Sequence, residues 1–265
     1  MIKFISALVA MTLSIGAILQ GSTDLKDSKD RAVTVPILLY HSITDERTAD
    51  SRYSVSIENF YQQMQELNHW GYSTISVEQL VEHITKGHTL PPRPIVISFD
   101  DGYLDVYNNA FPIMKKYGFT GTVYVVANRL NAEGFLQEEE LKTLLDHGWE
   151  VGSHGMTHTE LTQNHVLVRQ EILQSRLDLE NALEIKVFSF AYPFGLVDGY
   201  ISKKVFDYGY RAAVGVGQLV VHSFGTVYNL SRREVLGDAD LEAFGDLLPW
   251  TDYYVPALRQ KYIPQ

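Results

Sequence analysis

The feature that most constrains this chain is a series of short, nearly all-apolar runs at residues 35–40, 95–99, 121–126, 149–152 and 187–191. Runs of this length, rich in Val, Ile and Phe, predict strands buried on both faces. Helical periodicity fills the intervals. Residues 57–70 and 77–85 follow Ser56 and Ser76, which suit the N-cap position because a hydroxyl can accept from the first free amides of a helix. Residues 110–117 stop at Gly118, residues 138–146 stop at His147-Gly148, and residues 164–183 carry apolar side chains at helical spacing. Strands alternating with helices predict an α/β fold with a parallel sheet and crossover helices. Periodicity leaves a doubly wound sheet and a (β/α) barrel equally open. Both gather catalytic groups where strands end, so a real site should lie there.

Composition narrows the function classes. A formal net charge of −10, with no Lys/Arg run, argues against nucleic acid and favours a neutral or cationic substrate over an anionic polymer. The chain has no cysteine, so any metal must be held by His, Asp or Glu. Residues 4–19 are almost continuously apolar, follow Lys3 and precede a polar stretch. Residues 1–22 therefore read as a secretory signal peptide, or as an N-terminal anchor giving a membrane tether. Residues 23–31 read as a flexible lead-in and residues 32–265 as one catalytic domain. Either form of the leader places the domain outside the cytoplasm: secreted, at the cell surface or periplasmic.

Four of the apolar runs end in chemistry-bearing residues. Residues 95–99 lead into Asp100-Asp101-Gly102. Alternation along an extended chain would send adjacent carboxylates in different directions, one to a metal and one to a substrate; Asp-Gly is equally common in plain turns. Residues 149–152 lead into Ser153-His154-Gly155-Met156-Thr157-His158, where one helical turn would bring His154 and His158 to one side. Two imidazoles and a carboxylate can hold a divalent ion with positions left open. Residues 187–191 lead into Tyr192-Pro193-Phe194-Gly195, which also suits a rigid turn. The first run ends at His41, whose ordinary pKa fits it for acid–base work, although a lone His is more often structural. The other six histidines lack strand-end placement and read as surface or packing residues.

Taken together, Ser98-Phe99-Asp100-Asp101-Gly102, the His154/His158 pair and Ala191-Tyr192-Pro193-Phe194-Gly195 resemble the ordered motifs of the NodB-type polysaccharide deacetylases, carbohydrate esterase family 4. Pro36-Ile37-Leu38-Leu39-Tyr40-His41 resembles the opening strand of the branch containing extracellular poly-β-1,6-N-acetylglucosamine deacetylases. The likeness runs from about Val35 to Val235. It implies a distorted (β/α)7 barrel and hydrolysis of N-acetyl groups on an N-acetylglucosamine polymer. It further implies Asp100 as general base, His41 as general acid, and Asp101, His154 and His158 as ligands to one divalent ion, Zn²⁺ first and Co²⁺, Ni²⁺ or Mn²⁺ next. The backbone N–H of Phe194 would face the oxyanion.

The chain departs from the pattern where many members have Arg-x-Pro-Tyr, since Ala191 replaces the Arg that orients the base and Phe194 replaces the Tyr. Arg232 resembles an Arg late in the early-His branch and is a candidate to reach Asp100, with an ordinary structural Arg as the alternative. Asp238, Asp240 and Asp246 are positional candidates for the carboxylate that orients His41. Tyr103 and Tyr192, which adjoin the motifs, are candidates for a sugar-binding groove. Two competing classes are a polymer-binding protein on the same fold without turnover, and a metal-dependent esterase, peptide amidase or phosphoesterase. The first would bind polymer without releasing acetate; the second would release a different product.

Overall fold

The computed structural model describes residues 31–46 and 51–251. The apolar leader and lead-in before residue 31, and the chain beyond residue 251, lie outside the described residues. Among the described residues, seven parallel strands run in one path: β1 (Ile37–Tyr40), β2 (Pro94–Phe99), β3 (Thr122–Val125), β4 (Glu150–Ser153), β5 (Ser189–Ala191), β6 (Ala212–Val214) and β7 (Arg233–Glu234), and an eighth, Ser73–Thr74, pairs parallel with the start of β2 off that path. Their order across the sheet is β6-β5-β4-β3-β2-β1-β7, with every neighbouring pair parallel. The curled sheet is drawn together at its seam by Leu230–Arg232. Leu230 N donates to Ala213 O, while Gly215 N and Gly217 N donate to Leu230 O and Arg232 O. This is the distorted barrel that the motif order implied, and it decides between the two architectures left open by periodicity.

The strands form where the apolar runs predicted. All six residues of β2 are buried, as expected of a central strand covered on both faces. Outside it pack helices α1 (Ile57–His69), α2 (Val77–Lys86), α3 (Phe111–Lys116), α4 (Glu138–Asp146), α5 (Ser175–Leu183), α6 (Gly199–Asp207) and α7 (Leu241–Asp246). Ser56 accepts from Asn59 N, and Ser76 forms a reciprocal capping box with Gln79, so one amide at the first start and two at the second are tied off locally. Tyr40, Phe60, Phe99, Phe111 and Trp149 make a connected ring stack between sheet and helices.

Two expectations change. Residues 164–183 do not form one helix: a 3₁₀ turn (His165–Leu167) leads into a π-helical turn (Arg169–Gln174) and only then α5. The apolar periodicity was right, but the wider turn re-aims Glu171 and Ser175 inward, where both are buried. The strands after residue 191 are three and two residues long, too short to carry a periodic signal.

Candidate active site

The C-terminal end of the barrel holds the functional cluster. β2 delivers Asp100 and Asp101, β4 delivers His154, the following loop His158, and β1 delivers His41. The adjacent carboxylates diverge for a reason other than strand alternation. Asp101 has φ 70° and Gly102 φ 75°, so two successive left-handed residues turn the chain as the strand ends. Asp100 stays inside the barrel, 2% exposed, and Asp101 swings toward the histidines.

Arg232 is wholly buried and grips Asp100 from across the barrel. Its Nη1 donates to Oδ1 at 2.6 Å and its Nη2 to Oδ2 at 2.7 Å. Nε of Arg232 donates to Gly215 O at 3.1 Å, which fixes the plane of the fork. Burial alone would raise the pKa of Asp100. The Arg232 fork outweighs it, helped by His154 and His41, and holds the carboxyl down to about 2. An Arg at position 191 is therefore not needed to reach this carboxylate; the same contact arrives from the seam of the barrel.

Asp101, His154 and His158 each offer a ligand atom, all within 4.8 Å of one another. His154 is 1% exposed, and its Nδ1 donates to Ala191 O at 2.9 Å, which leaves Nε2 as the free lone pair facing the cluster. Nε2 of His158 lies 3.7 Å from Oδ1 of Asp101. Burial, seconded by His154, drives the His158 pKa down to about 4, so this ring stays neutral, the form a metal requires. The donor set suits a Zn²⁺-class ion, whose bonds to His nitrogen and carboxylate oxygen run ~2.0–2.2 Å. The two imidazoles converge without a helical turn. Residues 154–158 are a loop in which Gly155 (φ 83°) and His158 (φ 63°) are both left-handed.

A cavity of about 330 Å³ joins His41, Tyr53, Asp100, Asp101, His154, His158, Phe194 and Glu234. The His41 ring lies 4.8 Å from that of Tyr53. Burial lowers its pKa below the ordinary histidine value, against the pull of Asp100 and Asp101. Phe194 has φ 60°, is 59% exposed, and sets its ring edge-on to His158 at 4.5 Å. Tyr103 lies on a second cavity of about 670 Å³ that shares His41, Tyr53 and Asp101 with the first. Tyr192 does not face either cavity. It is fully buried, its hydroxyl donates to Tyr228 O at 2.8 Å, and burial pushes its pKa up, so it is core. Asp238 and Asp240 line a separate cavity beside α1, and Asp240 caps α7 through Ala243 N; Asp246 sits within α7 itself. Apart from Asp100 and Asp101, the carboxylate that lines this cavity with His41 is Glu234, at the end of β7.

Three further residues escaped the sequence reading. Arg129 donates to Asp101 Oδ1 at 3.2 Å from just beyond β3, a strand end that could have flagged it. Tyr53 and Glu171 carried no motif signal.

A family model described as polysaccharide deacetylase matches residues 87–213, the stretch that holds Asp100, Asp101, His154 and His158. The chain carries a polysaccharide deacetylase domain. This domain is 25% identical over 202 residues to the poly-β-1,6-N-acetyl-D-glucosamine N-deacetylase of Staphylococcus epidermidis, covering 71% of this chain and 70% of that one. A polysaccharide deacetylase of Bacillus cereus superposes with TM-score 0.72 at 28% identity, over 82% of this chain and 69% of its own. Streptococcus pyogenes deacetylase PplD, solved with acetate, shares the fold at TM-score 0.76 and 24% identity, over 82% of this chain and 99% of its own. The matched family indicates a hydrolase, and the relatives are named as polysaccharide or poly-β-1,6-N-acetyl-D-glucosamine deacetylases. Among the described residues, no helix is long and apolar enough to cross a membrane.

Proposed function

We propose that the chain is an exported, metal-dependent N-deacetylase that releases acetate from an N-acetylglucosamine-containing polysaccharide. The observation that carries this reading is the convergence of a ligand triad, a clamped carboxylate and an independent imidazole on one cavity. Each of the three groups meets one demand of amide hydrolysis: polarised carbonyl, deprotonated water, protonated leaving amine.

Asp101, His154 and His158 would hold the ion, which when bound supplies Lewis acidity toward the acetyl carbonyl and the attacking water. Asp100 accepts the water proton as general base. The Arg232 fork keeps it ionised for that role. His41, approaching from β1, gives its proton to the departing nitrogen. The backbone N–H of Phe194, whose φ is 60°, would serve as the oxyanion donor. Tyr103 lines the wider cavity and offers a ring face to a neighbouring sugar.

Incubating the protein with defined β-1,6-linked and β-1,4-linked N-acetylglucosamine oligomers, with and without chelation, tests the proposal. Acetate release that chelation abolishes and Zn²⁺ restores is the expected result. Polymer binding without acetate release would overturn it in favour of a binding protein. Fractionation of the native cells should find the protein outside the cytoplasmic membrane.

A further inference from the structure

The loop that presents His154 and His158 leaves backbone amides in the protein interior that no strand or helix can satisfy. Residues 155 and 158 are left-handed, and only surroundings that over-determine such a loop keep it in place. One side chain answers most of that need. Oε2 of Glu171 accepts from Met156 N at 2.8 Å and from Thr157 N at 2.9 Å, while Oε1 accepts from the Thr157 hydroxyl at 2.6 Å. Glu171 is 1% exposed, and among the described residues the donors its carboxylate meets are those of this loop. A Cβ at Gly155 would come within 2.9 Å of Oε2, so the carboxylate is seated directly against the backbone.

The support for Glu171 is itself unusual. It lies in the π-helical turn Arg169–Gln174, whose wider turn carries Glu171 and Ser175 to the inner face. Ser175 Oγ hydrogen-bonds to Ser153 Oγ at 2.9 Å, at the other shoulder of the loop. The π-helical turn and the first residue of α5 therefore grip the chain just before His158 and just before His154. From the opposite side, Ala127 N and Asn128 N donate to the carbonyls of Gly155 and Met156.

We infer that Glu171 is a positioning residue for the metal centre: its carboxylate sets the 156–157 amides and so holds His158 where it can complete the ligand triad. The inference rests on the metal-site reading above, which uses Glu171 in no role. Among the described residues Glu171 makes no hydrogen bond to either ligand ring and does not line the His41–Asp100 cavity, so its effect is read in ion affinity, and in turnover only through it.

The test is Zn²⁺ affinity, measured on the whole chain by competition with a chromophoric chelator, with the Co²⁺ absorption spectrum as a second reading. Glu171→Ala should weaken Zn²⁺ binding ~10–100-fold, the usual consequence of losing a group that orients a ligand. Glu171→Gln should stay within a few-fold of wild type, because its amide oxygen can still accept both N–H groups. Glu171→Asp retains the charge but shortens the reach, and should weaken binding at least several-fold even if the Ala variant fails to fold. The Co²⁺ spectra of the weakened variants should lose intensity in the same way as that of His158→Ala. A carboxylate needed only for folding would lower the melting temperature of metal-free protein while leaving ion affinity intact. Wild-type affinity and spectrum in Glu171→Ala, or in Glu171→Asp where Ala does not fold, would overturn the inference. Wild-type protein that binds no Zn²⁺ at all would instead overturn the metal-site reading beneath it.

Discussion

The two groups assigned to proton transfer are held in opposite ways. Asp100 is 2% exposed and gripped through both oxygens by an Arg that is itself wholly buried. The side chain of His41 makes no hydrogen bond among the described residues and leans on the ring of Tyr53. What is fixed on that side is the backbone beyond it. Asp105 accepts from the Ser42 hydroxyl and from Ile43 N, and Asn109 donates to Ile43 O. A base that must sit beside a metal centre benefits from a single rigid position. An acid that must reach a nitrogen moving away from the carbon benefits from an anchored backbone and a ring free to adjust.

The sharpest way to break this comparison is to cut the clamp. Arg232→Met leaves a buried carboxylate with no fork, and removal of one partner of such a pair typically costs ~3–5 kcal/mol. We expect that loss in denaturant unfolding, together with an Asp100 pKa that rises because the main opposition to burial is gone. Asp100→Asn should keep bound metal, since it spares Asp101, His154 and His158, yet lose ~10²–10⁴ in kcat. The double variant should recover part of the stability lost in Arg232→Met. An Asp100→Asn protein that turns over normally would remove Asp100 from the mechanism.

On the acid side the cost should fall on rate and spare stability. His41→Ala should keep metal and fold, and lose ~10²-fold or more on an amide. On an activated acetyl ester, whose leaving group needs little protonation, the loss should be much smaller. Equal losses on both substrates would mean that His41 is not the acid.

The two sides were not equally legible in the sequence. Strand β2 ending in Asp100-Asp101, and β1 ending in His41, stood out because long apolar runs stop at polar residues. The clamp was harder, since Arg232 lies 132 residues from Asp100 and comes just before a two-residue strand with no periodic signature. It was reached only as one of two readings of a late Arg. Glu171 was invisible for a different reason: an ordinary helical pattern hides a π-helical turn that faces a carboxylate inward. Tyr192 misled because adjacency to a motif says nothing of direction, and its ring points into the core. His154 and His158 were paired for the right spacing but the wrong geometry; a loop with left-handed residues, not a helical turn, brings them together.

The smallest expected effect, and the one that separates the two sides most cleanly, lies in pH. The folded pKa of Asp100 is below its unfolded value, so the native state binds fewer protons there between about 2 and ~3.8. Stability from the clamp is then complete above the unfolded value and is lost as pH falls toward about 2. Acid unfolding of wild type should steepen in that window, and Arg232→Met should lack the step. His41 behaves differently because its acid form is the one needed. Burial has lowered its pKa, so that form is lost as pH rises through a value below the ordinary ~6.5. The alkaline limb of kcat/KM in the free enzyme should start on the acid side of neutrality and vanish in His41→Ala. Because the ring is unclamped, replacing Tyr53, its packing partner, with Ala should shift that limb by a fraction of a pH unit and leave the acid-unfolding step untouched. A Tyr53→Ala protein that moves both, or neither, would show that the acid is as rigidly set as the base.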